Sequence, residues 1–386
     1  MPHLFAPLTL REVILPNRIA VSPMCQYSSA EGMATDWHFV HLGSRAVGGA
    51  GLVFTEATAI LPEGRISPQD LGIWNDDHIE PLSRIVRFVH EQGSIAGVQI
   101  AHAGRKASTY RPWEGHGAVP ESEGGWRVAA PSAVAFAEGY PLPKALTQDG
   151  IRAVVAAFAA AARRACQAGF KVVEVHAAHG YLLHQFLSPL SNRRQDSYGG
   201  SFENRTRLVR EVIEAVRAVW PESCPLFVRV SATDWADGGW DLDQSVELAR
   251  QLGPLGVDLI DCTSGGNLPQ AKIPVGPGYQ TPFAERIRRE AGIATATVGL
   301  ITSPVQAEHV IRTAQADMVV LARELLRDPY WPLRAARELG HQVSWPVQYL
   351  RAAPAGTQAR AAVDLRRLER CFAEHHAVSE PQKETR

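Results

Sequence analysis

The sequence predicts an α/β chain closed into a (β/α)8 TIM barrel, and three observations predict it. Eight short apolar stretches recur, each near the usual strand length. Amphipathic helical stretches alternate with them. No G-x-G-x-x-G turn follows an early strand, as an open doubly wound sheet requires. Strand and helix alternating eight times point to a parallel barrel.

The strands read, in order, Ile19–Val21, Gly51–Thr55, Ile95–Ile100, Lys171–Val175, Leu226–Val230, Asp258–Asp261, Ala294–Val298 and Asp317–Leu321. Several are almost wholly apolar, as strands buried on both faces are. Gly48-Gly49-Ala50-Gly51 precedes the second strand and reads as a helix stop and turn. Ile79–Gln92 carries an apolar stripe at 79, 82, 85, 86 and 89, and Gly150–Ala168 is alanine-rich. Phe202–Trp220 repeats apolar positions at 208, 209, 212, 213 and 216, and Asp241–Leu252 opens on a capping residue. Thr281–Glu290 and Ser303–Thr313 are shorter; Ser303-Pro304 reads as an N-cap followed by proline at the first helical position.

Two stretches break this rhythm. Residues 101–147, after the third strand, are rich in Gly, Pro, Trp and Tyr and lack a secondary-structure pattern. Such length reads as a functional loop over the barrel mouth. Residues 1–353 form the barrel domain, and 354–386 form a C-terminal tail. The tail is expected to be mobile or peripheral, with one short helix around Ala361–Ala373.

At 386 residues, 45% hydrophobic and 20% charged, the chain can bury a large core and is not predominantly disordered. Its 39 basic residues nearly balance 40 acidic ones, which argues against a nucleic-acid partner. Five cysteines, at 25, 166, 224, 262 and 371, lack the spacing of a zinc or iron–sulfur site. No disulfide framework is expected at this density. The N-terminus lacks the features of a secretory signal, and no run approaches the roughly 20 apolar residues of a membrane span. The expected setting is cytoplasmic, reduced and away from membranes.

Barrel chemistry sits just past the strand ends. There the sequence places Ser22 to Tyr27, Thr55 to Ala57, Gln99, His102, Arg105 and Lys106, His176, His179 and Tyr181, Arg229 and Ser231, Cys262 to Ser264, Gly299, and Arg323. His176 and His179, three apart, can face one ligand. As neutral imidazoles they could polarise a carbonyl; as metal ligands they would need a third donor; they could also be structural. Tyr181 offers a weakly acidic proton beside them. Arg229 and Lys106 are cations at an apolar mouth and need an acid or an anionic ligand. Gly299 and Arg323 occupy the usual phosphate position of such barrels, with a salt bridge to a neighbouring Glu as the alternative for Arg323. Gln99 can satisfy the polar edge of a flat heterocycle or be a buried structural amide. Cys25, without an evident base partner, reads on its own as a small core residue. Trp37, Trp74, Trp220 and Trp331 read as packing, His38 and His41 as ordinary faces of a short helix, and the charged run 203–211 as a surface helix.

These residues resemble the Old Yellow Enzyme family, in its bacterial xenobiotic reductase and thermophilic-like branch of ene-reductases. The matching pieces are Pro16-Asn17-Arg18, Ser22-Pro23-Met24-Cys25-Gln26-Tyr27, the stretch from Gln99 to Lys106, and His176-Ala177-Ala178-His179-Gly180-Tyr181-Leu182. They continue through Phe186 to Pro189, Asn192 to Arg194, Asp196 to Arg205, Arg229-Val230-Ser231 and Arg323 to Pro329, one per barrel element in order.

The resemblance implies a non-covalently held FMN, with NADPH or NADH as reductant. Pro23, Met24, Cys25, Ala57, Gln99 and Arg229 would contact the flavin ring, and Gly299 and Arg323 its phosphate. Cys25 would then tune the flavin, which replaces the core reading. His176 and His179 would bind the carbonyl of an activated alkene, and Tyr181 would supply a proton. Tyr27 and Lys106 would line the substrate pocket. Arg351 would reach it from a neighbouring subunit of a homodimer or homotetramer. Two departures stand out: Ala322 replaces a glycine common before the phosphate arginine, and Ala352-Ala353 follows Arg351 where Gly-Trp is common. The rival reading is a metal-dependent hydrolase using His176 and His179 as ligands. An iron–sulfur dienoyl-CoA reductase relative would need a cysteine cluster that the sequence lacks.

Overall fold

Eight parallel strands close on themselves in the computed structural model, which describes residues 3–361. Two short strands, β1 (Leu8–Leu10) and β2 (Val13–Leu15), precede the barrel as an antiparallel hairpin. The barrel strands are β3 (Ile19–Val21), β4 (Leu52–Ala59), β5 (Ile95–Ala101), β8 (Val172–Ala177), β9 (Leu226–Ser231), β10 (Leu259–Thr263), β11 (Ala294–Thr297) and β12 (Met318–Leu321). They pair in chain order, and β12 closes the ring on β3 through Val319–Ile19, Val320–Ala20 and Leu321–Val21. All eight predicted strands are present. β4 is buried along its whole length and shifts register between Phe54 and Ala57. Such a bulge re-aims side chains at a barrel rim, and here it falls at Glu56.

The helices are α1 (Asp36–Val47), α2 (Ile79–Glu91), α3 (Gln148–Gln167), α4 (Leu182–Leu187), α5 (Phe202–Arg217), α6 (Leu242–Leu252), α7 (Thr281–Ala291), α8 (Pro304–Arg312), α9 (Arg323–Arg327) and α10 (Trp331–Glu338). Their starts follow from capping chemistry. Thr147, Ser201, Asp241 and Ser303 each accept a backbone N–H of the first helical turn, and such caps contribute about 1 kcal/mol apiece. Proline stands in the first turn of α7, α8 and α10, where its missing N–H costs nothing.

Several elements escaped the sequence pattern. The hairpin strands are three residues each, too short to show a period. They cover the N-terminal end of the barrel: Arg11 pairs with Asp258 at 2.7 Å, and the Glu12 N–H donates to Ser223 O, just ahead of β10 and β9. α4 and α9 are also too short for a stripe. The excursion 101–147 is not without structure. It holds turns at Gly104–Lys106 and Glu121–Glu123 and a parallel pair, β6 (Ala129–Ala130) with β7 (Lys144–Ala145). Arg105 clamps it by donating to Asn267 O at 2.7 Å and Val134 O at 3.3 Å.

The tail is tied down at its start. Residues 354–361 are described, and Arg360 donates to Ala46 O, Gln92 O and Val47 O. These carbonyls sit at the C-terminal ends of α1 and α2, where a guanidinium both caps and meets the negative end of the helix dipole. The helix expected around 361–373 lies outside the described residues.

Three minor readings are corrected by burial. Trp37 is exposed, its Nε1–H donating to Gln26 Oε1, whereas Trp74 packs against His78, and Trp220 and Trp331 are buried. His38 and His41 are buried. Within the 203–211 run, Arg205 is buried, donating to Gly200 O, Leu187 O and Gln244 Oε1 and lying against the Trp240 ring.

Candidate active site

Successive residues of a strand point to opposite faces, so β8 sends Glu174 and His176 to one side. Register places His176 opposite Arg229 on β9, and Arg229 opposite Asp261 on β10. Gln99 on β5 is opposite Glu174. The result is a buried polar layer inside the barrel, beneath a cleft at the C-terminal strand ends.

A cavity of about 270 Å³ is lined by Ser22, Pro23, His179, Arg229, Gly299 and Arg323, among others. Gly299 has φ +134°, and a Cβ there would come within 3.0 Å of the Tyr279 ring. The Arg323 side chain makes no ion pair or hydrogen bond with any described residue; the neighbouring Glu324 pairs instead with Arg327 and Arg334. A free guanidinium beside backbone that no side chain may fill suits a phosphate. Ala322 carries its Cβ with φ −103°, outside the region reserved for glycine.

The histidines are wired in one direction. The Ala178 N–H donates to His176 Nδ1 at 3.3 Å, so the proton of that ring is on Nε2. His176 Nε2 lies 3.4 Å from His179 Nδ1, and His179 Nε2 lies 3.0 Å from Thr263 Oγ1. Burial first, then the Arg229 charge, holds both imidazoles well below their ordinary pKa. Both are therefore neutral and can offer an N–H but not a charge. His179 sits at φ +57° and Gly180 at φ +71°, a strained turn of the kind found at functional sites. The His184 ring holds it: Nδ1 accepts the Gly180 N–H at 2.9 Å, while Nε2 faces Asp234 Oδ1 at 3.0 Å.

Tyr181 meets the His176 ring edge-on, centroids 5.1 Å apart. Burial pushes its hydroxyl pKa well above 10, so it keeps its proton. Lys106 lies 5.0 Å over the Tyr181 ring, but its ammonium donates to His179 O at 2.8 Å and Gly266 O at 3.0 Å. Within the chain, Lys106 thus braces the histidine turn. Cys25 is half-buried; desolvation and the nearby Asp70 and Glu56 push its thiol pKa well up, which disfavours the thiolate a nucleophile needs. Tyr27, at φ +49°, has its hydroxyl pushed up in the same way, burial first.

The Ser22–Tyr27 segment rests on a network that sequence reading missed. Glu56 Oε2 accepts the Gln26 N–H at 2.9 Å, and its Oε1 is 3.1 Å from His38 Nε2. Gln280 was also missed: it receives from Thr263 and Ser264 and donates to Val298 O at 2.7 Å. Met24 is half-buried against the core, and Ala57 is buried at the bulge. Arg351 is exposed and is not among the cleft-lining residues; one chain alone does not bring it to the others.

A hydrolase reading needs a third metal donor at His176 and His179. Among the described residues, the grouping of three metal-capable side chains is His3, Glu308 and His341, none of which lines this cleft.

Residues 3–342 match the model of the NADH:flavin oxidoreductase / NADH oxidase family. The chain belongs to this family. It is 51% identical over 350 residues to an NADPH dehydrogenase of Geobacillus sp. (strain WCH70), covering 90% of this chain and 98% of that protein. It is 49% identical over 355 residues to an NADPH dehydrogenase of Halalkalibacterium halodurans, covering 91% and 99%. Among solved structures, morphinone reductase in complex with tetrahydroNAD superposes with a TM-score of 0.73 at 29% identity, covering 90% of this chain and 93% of that one. An old yellow enzyme homologue from Zymomonas mobilis gives 0.72 at 27% identity, covering 87% and 93%. As a member of the flavin oxidoreductase family, the chain is an NAD(P)H-dependent oxidoreductase of the ene-reductase type with FMN as cofactor.

Proposed function

We propose that this flavin oxidoreductase reduces the C=C bond of α,β-unsaturated ketones, aldehydes and similar activated alkenes. The observation that carries the reading is the pair of neutral imidazoles, His176 and His179, 3.4 Å apart beside the cavity that His179 lines, with the Tyr181 ring against His176. The lining of the cavity suits FMN, with Gly299 and Arg323 for its phosphate and Pro23 and Arg229 for its ring; Met24, Cys25, Ala57 and Gln99 are assigned to the ring from their places at neighbouring strand ends. A bound FMN would supply the two-electron hydride chemistry that links NADPH or NADH to the β-carbon of the alkene.

The chain's own residues do the rest. His176 Nε2–H turns from His179 to the substrate carbonyl oxygen, and His179 donates beside it once its proton is on Nδ1. Donors fixed in a dry site stabilise the negative charge that grows on that oxygen. Tyr181, kept protonated by burial, delivers a proton to the α-carbon. Tyr27 lines the pocket, and Lys106 holds the turn carrying His179 while its charge faces the Tyr181 ring. Substrate selection is assigned to the loop 101–147, which Arg105 and Lys106 tie to the loop after β10.

The barrel domain spans 1–353 in this reading, and it self-associates. Exposed Val347 and Tyr349 flank Arg351 in sequence, and exposed Tyr330 meets Tyr349, so a partner on this face would bring Arg351 to the neighbouring cleft. A cytoplasmic setting accords with Cys25, Cys166, Cys224 and Cys262, none of which forms a disulfide. Among the described residues, no helix is long and apolar enough to cross a membrane.

The test is an anaerobic visible spectrum of the purified protein, followed through NADPH and then 2-cyclohexenone. A flavin band that bleaches with NADPH and returns with the enone is expected. A band restored only by oxygen would refute the substrate class. A protein that cannot be loaded with FMN would refute the cofactor site.

A further inference from the structure

The polar layer beneath the cleft contains more acid than base. Glu174 and Asp261 are at most 1% exposed, and the charged group facing both is the Arg229 guanidinium, 3% exposed. Arg229 Nε lies 3.1 Å from Asp261 Oδ2, while its Nη1 donates to Ser22 Oγ at 3.2 Å. Glu174 Oε1 accepts from Gln99 Nε2 at 2.7 Å. Glu174 Oε2 and both Asp261 oxygens receive no hydrogen bond of good geometry from a described residue. With both acids ionised, two negative charges would share one positive charge in a dry barrel. An uncompensated buried charge costs several kcal/mol, and such a group neutralises instead.

The other titratable neighbours do not alter this balance. His176, one step up β8, is neutral, and Cys262, beside Asp261 on β10, has its thiol pushed well up. Desolvation, then the neighbouring acid, raises Glu174 above the ordinary carboxylate range; desolvation raises Asp261 as well.

We propose that Glu174 and Asp261 hold one shared proton under Arg229, and that this proton couples the acidity of the barrel interior to reduction of the flavin above it. With the proton bound, Arg229, Asp261 and Glu174 sum to zero charge; without it they sum to −1. Negative charge added at the cleft by reduction makes the proton harder to lose. Over the pH range between the two affinities, reduction therefore draws one further proton onto the pair. Glu174 and Asp261 act through Arg229 and Gln99 and are positioning residues; they do not touch substrate.

The inference rests on the flavin reading, and the test separates the two. The midpoint potential of the FMN-loaded protein is titrated anaerobically from acid through neutral to alkaline pH. One proton per two electrons gives a slope of about 30 mV per pH unit, and the further proton adds about 30 mV per unit within its window. Wild type is expected to show this steeper window at neutral to alkaline pH, and Glu174→Gln and Asp261→Asn to lose it. A constant wild-type slope overturns the proposal, as does a steep window that survives both substitutions. Should neither variant hold FMN, the wild-type infrared spectrum decides. A protonated carboxyl band that shifts in D2O and titrates with the same window supports the pair; its absence overturns it. A protein that takes up no FMN refutes the flavin site, and this proposal with it.

Discussion

Gly180→Ala tests whether the backbone of the histidine turn sets the chemistry. Gly180 has φ +71°, and a Cβ there would collide with the Gly266 carbonyl oxygen and stand 2.7 Å from Asn267 Cα. Carbon atoms in contact sit at about 3.5–4.0 Å, so the two loops must part by about 1 Å. Neither loop has slack. Gly266 is at φ +89°, a Cβ on it would lie 2.6 Å from His179 Cα, and its carbonyl is one of two that hold the Lys106 ammonium. A left-handed alanine costs about 1–2 kcal/mol, and the overpacking adds about 1–3 kcal/mol, so stability should fall by about 2–5 kcal/mol. The parting moves His179 and Tyr181 together, and a misplacement of about 1 Å can cost about 100-fold in rate. Anaerobic stopped-flow should show flavin reoxidation by 2-cyclohexenone slowed about 100-fold, with reduction by NADPH slowed much less. Gly276→Ala, where a Cβ meets nothing within 4 Å, is the control. Full flavin content with enone reoxidation within about twofold of wild type would refute the reasoning.

Replacing His176 and His179 together with Ala removes two neutral donors. At about 1–1.5 kcal/mol each, enone kcat/KM should fall about 30- to 160-fold and phenol binding should weaken; unchanged kcat/KM would sink the carbonyl role. Tyr181→Phe should slow enone-driven reoxidation more than NADPH-driven reduction, since only the first needs its proton; equal slowing would remove it as donor. His90 is a buried histidine whose Nε2 accepts the Ala96 N–H, and burial with the Lys171 charge lowers its pKa to about 3. The unfolded chain takes up that proton near pH 6.5, so this group's share of stability is lost as pH falls below 6.5. The loss is about 1.4 kcal/mol per pH unit. His90→Gln should be less stable at pH 7 but show a shallower acid dependence in urea unfolding by about that slope; parallel dependences would refute the assignment.

Much of the site was legible because barrel geometry converts chain position into spatial position. Each strand places its last inward residues at one mouth, so Gln99, His176, Arg229, Gly299 and Arg323 could be gathered by reading strand ends. Cys25 shows the limit of that reading: taken alone it looked like a small core residue, and only the motif around it and the acids beside it removed that view. The Glu56–His38 support, the His184–Asp234 pair and the Gln280 link escaped because each joins segments 16 to 50 residues apart through side chains without a periodic pattern. Lys106 could be read as following the third barrel strand, yet its two carbonyl partners came from loops after β8 and β10.

The eight barrel strands and their order, the caps of two helices at Asp241 and Ser303, and the family were all legible in the amino-acid sequence alone. These properties are local, written in burial periodicity, turn chemistry and contiguous motifs. Tertiary structure decided the N-terminal hairpin under the barrel, the docking of Arg360 on two helix ends, and the neutrality of the histidines. It also decided the pairing of two buried acids with a single arginine. Each of these depends on which distant groups share a dry interior, where charge must be balanced and donors matched, and no window along the chain contains that information.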